Sequence, residues 1–380
     1  MTIKEQFILK VESQTKEFTS KSTNSISVKK SKLITIFSNI HRILKSLYDL
    51  VCLIVRLRFN NTVKHNIIYT GEGICLKVQG QYRDRILENL ALENIIYINR
   101  GRDTIIKSIN GIKTYNIGGV VKLLTFVLKF TNKKRFSTYY AYKIVNNSIL
   151  KFAKNPKVFS LLYYNLNGLS LVFSKHRSKI QLIEVQHGAI INFPAYSEPS
   201  EIKIADIFYV KNQGTINYLK ERLNKNFKDI EYRMLPYPKR KTEYKEGKHI
   251  LYASTIEFNG IHPVFMEYLT ELTQDDKVTV YVRLHPREKN KKELFENQLK
   301  NIKSNIIFDD SKNWLESNTV KNLIVVSPWS SVIEDAVDNG YRAIILEELG
   351  KNRFSYLIDN KNVIFADNLE KIILFVHNDI

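Results

Sequence analysis

Short apolar runs alternate with longer amphipathic segments from about residue 65 to the end of the chain. In the first half, this pattern predicts strands at 66–69, 94–98, 158–164, 181–185 and 206–210. It predicts helices at 119–130, 136–154 and 213–224, and a further helix that follows the 158–164 strand and runs into Lys175. In the second half, it predicts strands at 249–253, 277–284, 305–308, 322–326 and 342–346, and helices at 262–273, 290–303, 330–339 and 368–377. Strands that are apolar throughout and alternate with helices are typical of parallel sheets covered on both faces. The sequence therefore predicts an α/β fold with two Rossmann-like domains that face a cleft.

The two α/β segments are separated by residues 236–249, which combine two prolines, a glycine and a run of basic residues. Such a composition is typical of a linker. With 380 residues, the chain is long enough for two domains. We therefore expect a basic N-terminal extension over 1–64, a first Rossmann-like domain over 65–235 and a second over 249–380.

The N-terminal extension contains the segment whose role is hardest to decide from its pattern. The first 32 residues are polar, and no secretory signal peptide is visible among them. Residues 33–59 carry apolar side chains at spacings of three and four, which predicts an amphipathic helix or a pair of helices. Their charge-free runs are far shorter than the roughly 20 residues that a membrane-spanning helix requires. Two interpretations remain open: a helix in a membrane interface, or a helix packed on the first domain.

Charge is distributed very unevenly between the two halves of the chain. Residues 1–180 contain 31 Lys and Arg against 9 Asp and Glu, whereas the remaining residues contain 27 against 29. Between Thr104 and Ile183 there are 14 basic residues and no acidic residue. A composition rich in lysine throughout would not produce this asymmetry. The first half is therefore expected to face an anionic partner: a membrane leaflet, an acidic glycan acceptor or a nucleic acid.

Several well-known site patterns are missing from the sequence. It contains no phosphate-binding GxxxxGK[ST] loop, no GxGxxG fingerprint and no GxSxG nucleophile elbow. The histidines and the two cysteines, Cys52 and Cys75, lack the spacing of a zinc site, and two cysteines fit a reducing cytoplasm. No DxD-type acidic pair follows a strand. We therefore expect neither a metal nor an organic cofactor.

The first candidate loop of the site is Gln186-His187-Gly188, which follows a predicted strand. Gly188 allows a sharp turn and a close approach of the backbone to a ligand. His187 is suited to carry a proton or to donate a hydrogen bond to a phosphate or sugar oxygen. The alternative is a histidine of the core whose ring is satisfied by the backbone.

The second candidate loop, Arg283-Leu284-His285-Pro286-Arg287, follows the most strongly predicted strand of the chain. Pro286 restricts the backbone and leaves the imidazole of His285 at the carboxyl end of the strand. Arg283 and Arg287 bracket this histidine with positive charge, which suits a pyrophosphate or a nucleotide phosphate. The alternative is a turn that only ends the strand.

The third candidate loop contains Ser327, Ser330 and Ser331 and leads into a predicted helix. Hydroxyl groups and free backbone N–H groups at the start of a helix form an anion site, which makes this loop the expected phosphate cradle. Glu334, one turn into the helix, is placed to accept hydrogen bonds from a ribose. Alternatively, it completes a capping box with the serine.

A fourth loop, Ser254-Thr255, follows the first strand of the second domain and is expected to line the same nucleotide pocket. All four loops come directly after predicted strands. Ligands of open parallel sheets bind at the carboxyl ends of the strands. The loops are therefore expected to converge on one cleft.

The order of these motifs resembles that of bacterial capsule enzymes, namely the Kdo transferases and polysialyltransferases of capsule assembly. The chain shares with them a Gln-His-Gly, a His-Pro and a serine pair at a helix start, and the segment from Val325 to Ile345 is the most similar. The arrangement is more loosely similar to that of the polyol-phosphate polymerases of teichoic acid synthesis. The resemblance covers roughly residues 180–350.

The resemblance implies a GT-B fold and a metal-independent glycosyltransferase that extends a capsule or lipopolysaccharide glycan. The donor implied is a nucleotide-activated sugar, with a CMP-sugar favoured and a UDP-sugar as the second choice. His285, Ser330 and Ser331 would hold the nucleotide phosphate, and His187 would lie on the cleft side of the first domain. The chain departs from the sialyltransferase pattern because no acidic pair occurs in an early loop. Glu72 is the nearest substitute for the catalytic base.

The expected partners are a nucleotide-sugar donor, a glycan or lipid-linked acceptor and an anionic inner-membrane surface, with the enzyme peripheral on the cytoplasmic side. One alternative keeps the fold but transfers glycerol-phosphate or ribitol-phosphate from a CDP-linked donor. A second alternative is a non-catalytic nucleic-acid-binding protein that uses the basic half and its aromatic residues, such as those of residues 139–143. It leaves the polar loops of the neutral half unexplained, and nucleic acid is therefore not among the expected partners.

Overall fold

The protein is described from a computed structural model of the chain. The described residues are 5–6, 8–9, 32–60, 62–70, 76–78, 81–84, 90–101, 105–160, 165–186, 190, 202–223, 229–235, 248–255, 260–272, 278–285, 288–302, 305–310, 323–358 and 361–377. By its internal contacts the chain separates into two compact units, Met1–His187 with Glu198–Tyr237, and Gly188–Ser197 with Pro238–Ile380. The domain boundaries drawn from the sequence stay a prediction.

The first unit contains ten described strands and five described α-helices, besides helical residues at 5–6 and 8–9 and the short 3-10 helices Lys134–Phe136 and Arg177–Lys179. The strands are β1 Asn66–Thr70, β2 Leu76–Val78, β3 Gln81–Arg83, β4 Ile95–Asn99, β5 Ser108–Ile109, β6 Ile112–Asn116, β7 Lys157–Ser160, β8 Gln181–Val185, β9 Ile207–Val210 and β10 Glu231–Met234. The helices are α1 Lys32–Phe59, α2 Gly118–Leu128, α3 Ser137–Phe152, α4 Leu166–Val172 and α5 Gln213–Leu223.

All ten strands of the first unit belong to one sheet. Seven of them are parallel to one another and lie in the order β10-β9-β8-β7-β1-β4-β6. The short strands β5, β3 and β2 extend the sheet beyond β6, and β5 is antiparallel to it. Numbered along the chain, the parallel strands have the order 7-6-5-4-1-2-3, which is a doubly wound sheet. The direction of winding reverses between β1 and β7.

The central strands of this sheet are covered on both faces, which explains why their sequences are almost entirely apolar. Ile67, Ile96 and Val158 point into one core together with side chains of the helices on that face. Ile68 and Phe159 point into a second core on the other face. Successive side chains of a strand point to opposite faces, so a strand buried on both sides needs apolar residues at every position.

Helix α1 is a single helix of 28 residues and forms part of the first unit. Leu53 and Leu57 are fully buried in the core that includes the central strands. Near its middle, the hydroxyl of Ser46 accepts the backbone N–H of Gly119 at 3.0 Å. A Cβ at position 119 would lie 2.5 Å from the carbonyl oxygen of Arg42, so only glycine permits this close approach of α2. No described helix is long and apolar enough to cross a membrane.

The second unit contains six described strands and six described helices. The strands are β11 Lys248–Ala253, β12 Val278–Arg283, β13 Asn305–Phe308, β14 Leu323–Ser327, β15 Arg342–Ile345 and β16 Val363–Phe365. The helices are α6 Pro263–Glu271, α7 Lys292–Leu299, α8 Val332–Asp338, α9 Glu348–Arg353, α10 Ser355–Ile358 and α11 Leu369–His377.

The six strands of the second unit form one fully parallel sheet in the order β13-β12-β11-β14-β15-β16. Numbered along the chain, this is 3-2-1-4-5-6, the order of dinucleotide-binding sheets. The winding reverses between β11 and β14, and the two strands pair over residues 249–252 and 323–326. Both units are therefore Rossmann-like, as the sequence predicts.

Candidate functional site

The carboxyl ends of β11 and β14 lie side by side in the centre of the second sheet. β11 ends at Ala253 and β14 at Ser327, so the loops that follow them leave the sheet at the same edge. In a doubly wound sheet, the helices on the two sides of the reversal point cover opposite faces and leave a crevice at this edge. The residues that follow β11, β12 and β14 are therefore the first candidates for a ligand site.

Ser254 joins the loop after β11 to the loop after β12. Its hydroxyl donates a hydrogen bond to Glu288 Oε2 at 2.6 Å and accepts the backbone N–H of His285 at 2.8 Å. Its own backbone N–H donates to the carbonyl oxygen of Arg283 at 2.9 Å. Ser254 and Glu288 are both buried, whereas His285 is partly exposed. The fold thus uses the hydroxyl of Ser254 to fix the backbone that presents the imidazole.

Ser327 performs the same task for the loop after β14. It is fully buried, and its hydroxyl donates to the carbonyl oxygen of Ala253 at 2.7 Å and accepts the N–H of Ser330 at 3.1 Å. Ser331 directly precedes α8, and its side chain makes no capping hydrogen bond within the described residues. Ser330 and Ser331 are both partly exposed.

Three of the four predicted loops, those after β11, β12 and β14, converge at one strand end through these contacts. The backbone of His285 is bonded to Ser254, and that of Ser330 is bonded through Ser327 to Ala253. Ala253 and Ser254 are consecutive residues at the end of β11. The structure therefore brings the histidine of one predicted motif and the serine pair of another to the same strand end.

Thr255 is the next residue of the chain, and its side chain is buried with 4% of its surface exposed. Within the described residues, its hydroxyl has no hydrogen-bond partner. A buried hydroxyl without a partner is unfavourable by about 1–3 kcal/mol. At the reversal point of a sheet, such a group is suited to bond to a ligand.

His262 and Glu347, which were not predicted from the sequence as site residues, form a pair at the same edge of the sheet. Nε2 of His262 lies 3.0 Å from Oε1 of Glu347, and His262 is buried while Glu347 is about one-third exposed. His262 immediately precedes α6, and Glu347 follows β15, so the pair joins loops on both sides of β14. A signal was present in the sequence, because His262-Pro263 is a second His-Pro pair after a strand.

Two predicted ligands make contacts within the fold that were not expected. Arg283 donates to Asp309 Oδ2 at 2.8 Å, so its guanidinium forms an ion pair with the residue after β13. Glu334 is buried and accepts a hydrogen bond from the hydroxyl of Tyr356. Since the side chain of Ser331 forms no capping bond within the described part of the chain, the alternative role of Glu334 in a capping box is not observed. Contacts of Arg283 and Glu334 with a ligand stay a prediction.

The loop after β14 is also held from the side of α9. A Cβ on Gly350 would lie 2.1 Å from the carbonyl oxygen of Pro328, so this approach requires glycine. The guanidinium of Arg353 lies 4.1 Å from the centre of the Trp329 ring, in a cation–π contact. Arg353 thereby brings positive charge to the loop that carries the serine pair.

Five predicted site residues lie outside the described residues: Pro286, Arg287, His187, Gly188 and Glu72. The positions next to them in the first unit are described. Gln186 is buried and directly follows β8. Its side-chain Oε1 accepts the backbone N–H of Lys211 at 2.8 Å, and its own backbone N–H donates to the carbonyl oxygen of Tyr209 at 2.8 Å. Gln186 therefore holds the ends of β8 and β9 together. β1, which precedes Glu72 in the chain, ends at the reversal point of the first sheet.

The described residues contain no group of three or more His, Cys, Asp and Glu side chains that is arranged to bind a metal ion.

Two doubly wound α/β units, the second with polar loops gathered at its reversal point, define a two-domain Rossmann-like protein. The predicted α/β class with two Rossmann-like domains is thereby confirmed.

Comparison with known proteins gives likenesses of structure only. No protein-family model and no curated protein sequence matches the chain. The lipopolysaccharide outer core galactosyltransferase WaaB in its apo form is 13% identical, with 82% of this chain and 88% of that chain covered and a TM-score of 0.46. The α,α-trehalose 6-phosphate synthase of Burkholderia multivorans is 7% identical, over 83% and 89%, with a TM-score of 0.46. The UDP-GlcNAc 2-epimerase of Neisseria meningitidis bound to UDP-GlcNAc is 10% identical, over 83% and 91%, with a TM-score of 0.43. At these values the likenesses assign neither activity nor substrate to this chain.

Proposed function

We propose that the protein is a metal-independent glycosyltransferase that transfers a sugar from a nucleotide-activated donor. One observation carries this proposal: the polar loops after β11, β12 and β14 meet at the reversal point of the second sheet, through bonds to Ala253 and Ser254. This is the position at which doubly wound sheets bind nucleotides.

In this proposal, His285, Ser330 and Ser331 contact the phosphates of the donor, and Thr255 donates its hydroxyl to the same ligand. Hydrogen-bond donors of the protein that are held in place before the reaction stabilise the negative charge that develops on the departing phosphate, without reorganisation. Ser254 and Ser327 act on the ligand indirectly, because their hydroxyls fix the backbone of His285 and Ser330. They are positioning residues of the site.

The first unit would receive the acceptor, a glycan or a lipid-linked glycan at an anionic inner-membrane surface on the cytoplasmic side. Its excess of basic residues supports this assignment, since residues 1–180 carry a net charge of +22. His187 or Glu72 would remove the proton from the acceptor hydroxyl. The motif resemblance supports a capsule or lipopolysaccharide product and favours a CMP-sugar over a UDP-sugar.

Replacement of the histidine at the strand end tests the catalytic part of the proposal. His285→Ala should abolish sugar transfer and leave the thermal unfolding midpoint almost unchanged, because the imidazole is partly exposed. His377→Ala is the matched control: His377 is an exposed histidine of the same unit near Lys248, at the amino end of β11. A His285→Ala enzyme with normal turnover would contradict the assignment.

A thermal-shift screen tests the donor. A ligand that binds only the native state at 100 times its Kd stabilises it by about 2.7 kcal/mol, which is a clear shift of the midpoint. We expect a shift with a sugar nucleotide in a panel of CMP-, UDP-, GDP- and CDP-linked donors. A shift with CDP-glycerol or CDP-ribitol alone would contradict sugar transfer and favour polyol-phosphate transfer.

A further inference from the structure

Helix α1 exposes a continuous apolar stripe on the side opposite to its buried leucines. Apart from the adjacent pair Leu47 and Tyr48, the side chains of the stripe recur every three or four residues; they are Phe37, Ile40, Leu44, Leu47, Tyr48, Val51, Val55 and Phe59. The two phenylalanines at its ends are 69% and 77% exposed. Single exposed apolar residues are common on proteins, but a contiguous row of eight is typical of an interaction surface.

Helix α2 lies beside α1 and adds a second apolar surface. The contact is made through Gly119 and through a hydrogen bond of 3.1 Å from the ammonium group of Lys122 to Asn39 Oδ1. The exposed apolar side chains of this surface are Leu123, Phe126, Val127 and, just after the helix, Phe130. We refer to the exposed apolar residues of α1 and α2 together as the two-helix face.

The charged residues of the two segments that form the two-helix face are almost all basic. Residues 32–60 and 118–135 contain ten Lys and Arg, and their only acidic residue is Asp49. Asp49 is fully buried, where it is paired with Lys45 at 2.7 Å and bonded to Asn116. Lys129, Lys133, Lys134 and Arg135 are exposed directly after α2. The two segments that form the face therefore combine exposed apolar side chains with an excess of nine basic over acidic residues.

We infer that the two-helix face docks on an anionic lipid bilayer, with α1 lying along the interface. Apolar side chains of such helices enter the boundary between headgroups and acyl chains, and basic side chains contact anionic headgroups. A second copy of the chain is a poorer occupant, because two faces of like charge would repel each other. This inference rests on the proposed function, because it specifies which surface of the first unit binds the membrane partner proposed there.

The structure also ties the two-helix face to the carboxyl edge of the first sheet. Oδ2 of Asp49 accepts both the backbone N–H and the side-chain amide of Asn116, at 3.1 and 2.9 Å. Asn116 ends β6, and its Oδ1 accepts the side-chain amide of Asn99 at the end of β4. The docked helix would thus hold the strand ends of the first sheet in a defined orientation to the bilayer.

Vesicle sedimentation tests this inference with the full chain. The wild-type protein should bind vesicles that contain phosphatidylglycerol, and raised salt or vesicles of pure phosphatidylcholine should reduce binding. The triple variant Phe37→Ser, Leu44→Ser and Val51→Ser should bind the anionic vesicles at least tenfold more weakly. The control variant Leu294→Ser, Ile373→Ser and Leu374→Ser changes exposed apolar residues of the second unit and should bind like the wild type.

Equal binding of the wild-type protein and the α1 triple variant would overturn the inference. So would a wild-type dimer in sedimentation velocity that the α1 triple variant dissociates, since the face would then be covered by a second copy. Thermal unfolding of the triple variant should match that of the wild type, because the three residues are exposed. Its thermal shift with the donor should also be unchanged. Vesicle binding without any donor shift would refute the proposed transferase and leave the docking face intact.

Discussion

Single hydroxyl groups determine the geometry of the candidate site. Ser254 and Ser327 each donate one hydrogen bond and accept another within the fold. Both were predicted from the sequence as direct ligands, whereas their hydroxyls hold the loops that carry His285 and Ser330. Ser331 differs from them, since its side chain forms no capping bond within the described residues.

This difference between serines predicts a contrast in stability. Ser327→Ala removes the partner of a carbonyl oxygen at Ala253 and of the N–H of Ser330, so it should lower the free energy of unfolding by about 1–3 kcal/mol. Ser331→Ala should change it by less than about 0.5 kcal/mol. Urea unfolding of both variants measures the contrast. Equal losses of stability would show that Ser327 does not hold the loop.

The pKa of Asp206 is lowered in the folded state, so the contribution of this residue to stability depends on pH. Its carboxylate accepts two hydrogen bonds from Arg177 at 2.9 Å and one from the N–H of Leu182 at 2.8 Å. Partial burial alone would raise the pKa of Asp206, but these donors and Lys203 outweigh it and hold the pKa below its ordinary value of 3.8. The folded state therefore favours the ionised form.

Asp206→Asn should destabilise the protein at neutral pH by about 1.5–3 kcal/mol, since the carboxylate bonds to charged donors are lost. A carboxyl group with a lowered pKa stabilises the fold fully above its unfolded pKa, and this contribution is lost as the pH falls through the folded pKa. The difference between wild type and variant should thus be constant from pH 7 to about pH 5 and shrink below about pH 4. Urea unfolding across this range measures it, and a difference that grows on acidification would refute the assignment.

At the scale of elements, α1 answers the question that its sequence left open. One side packs on the first unit through Leu53, Leu57, Ser46 and Asp49, as one interpretation required. The other side stays exposed and apolar, as the membrane interpretation required, although contact with a membrane remains a proposal. A hydrophobic pattern gives the face of a helix that is apolar, but α1 is apolar on more than one face, and only packing shows which one is covered.

The attachment of α1 can be tested at Asp49. Asp49→Ala removes the acceptor of the buried backbone N–H of Asn116 and one of the two acceptors of its side-chain amide, which also donates to the carbonyl oxygen of Ile106. The variant should therefore lower the free energy of unfolding by about 2–3 kcal/mol. Lys45→Ala keeps both hydrogen bonds from Asn116 and removes only the ion pair with a partly exposed lysine, so it should lower the free energy of unfolding by less than Asp49→Ala does. Amide exchange along α1 should accelerate only in the Asp49 variant. Equal exchange in both would show that Asp49 does not anchor the helix.

The elements that the sequence predicted are the long and continuously apolar ones. β8 and β13 have the predicted bounds, and most predicted helices differ from the structure by a few residues at their ends. The missed elements are short or mixed in composition: β2, β3, β5, β6, β10, β16, α9 and α10. A strand such as Ser108–Ile109 is stabilised by its neighbours in the sheet rather than by its own sequence, so no local pattern reveals it.

At the scale of the whole molecule, both units repeat the same winding, with the first strand in the middle of the sheet and a reversal beside it. The sequence placed polar loops at strand ends correctly, because each follows an apolar run. It could not show which strands become neighbours. For that reason His262 and Glu347, 85 positions apart, were missed, and the hydrogen bonds that engage Ser254 and Ser327 were not foreseen.

Hydrogen–deuterium exchange with the donor identified by thermal shift is the most direct test of the central claim. The nucleotide should slow exchange in peptides that contain Ser254, His285 or Ser330, because these three loops meet at one strand end. Peptides of α11 (Leu369–His377), whose last residue lies near the amino end of β11, should not change. Protection confined to α11 or to the first unit, with the three loops unaffected, would contradict the account.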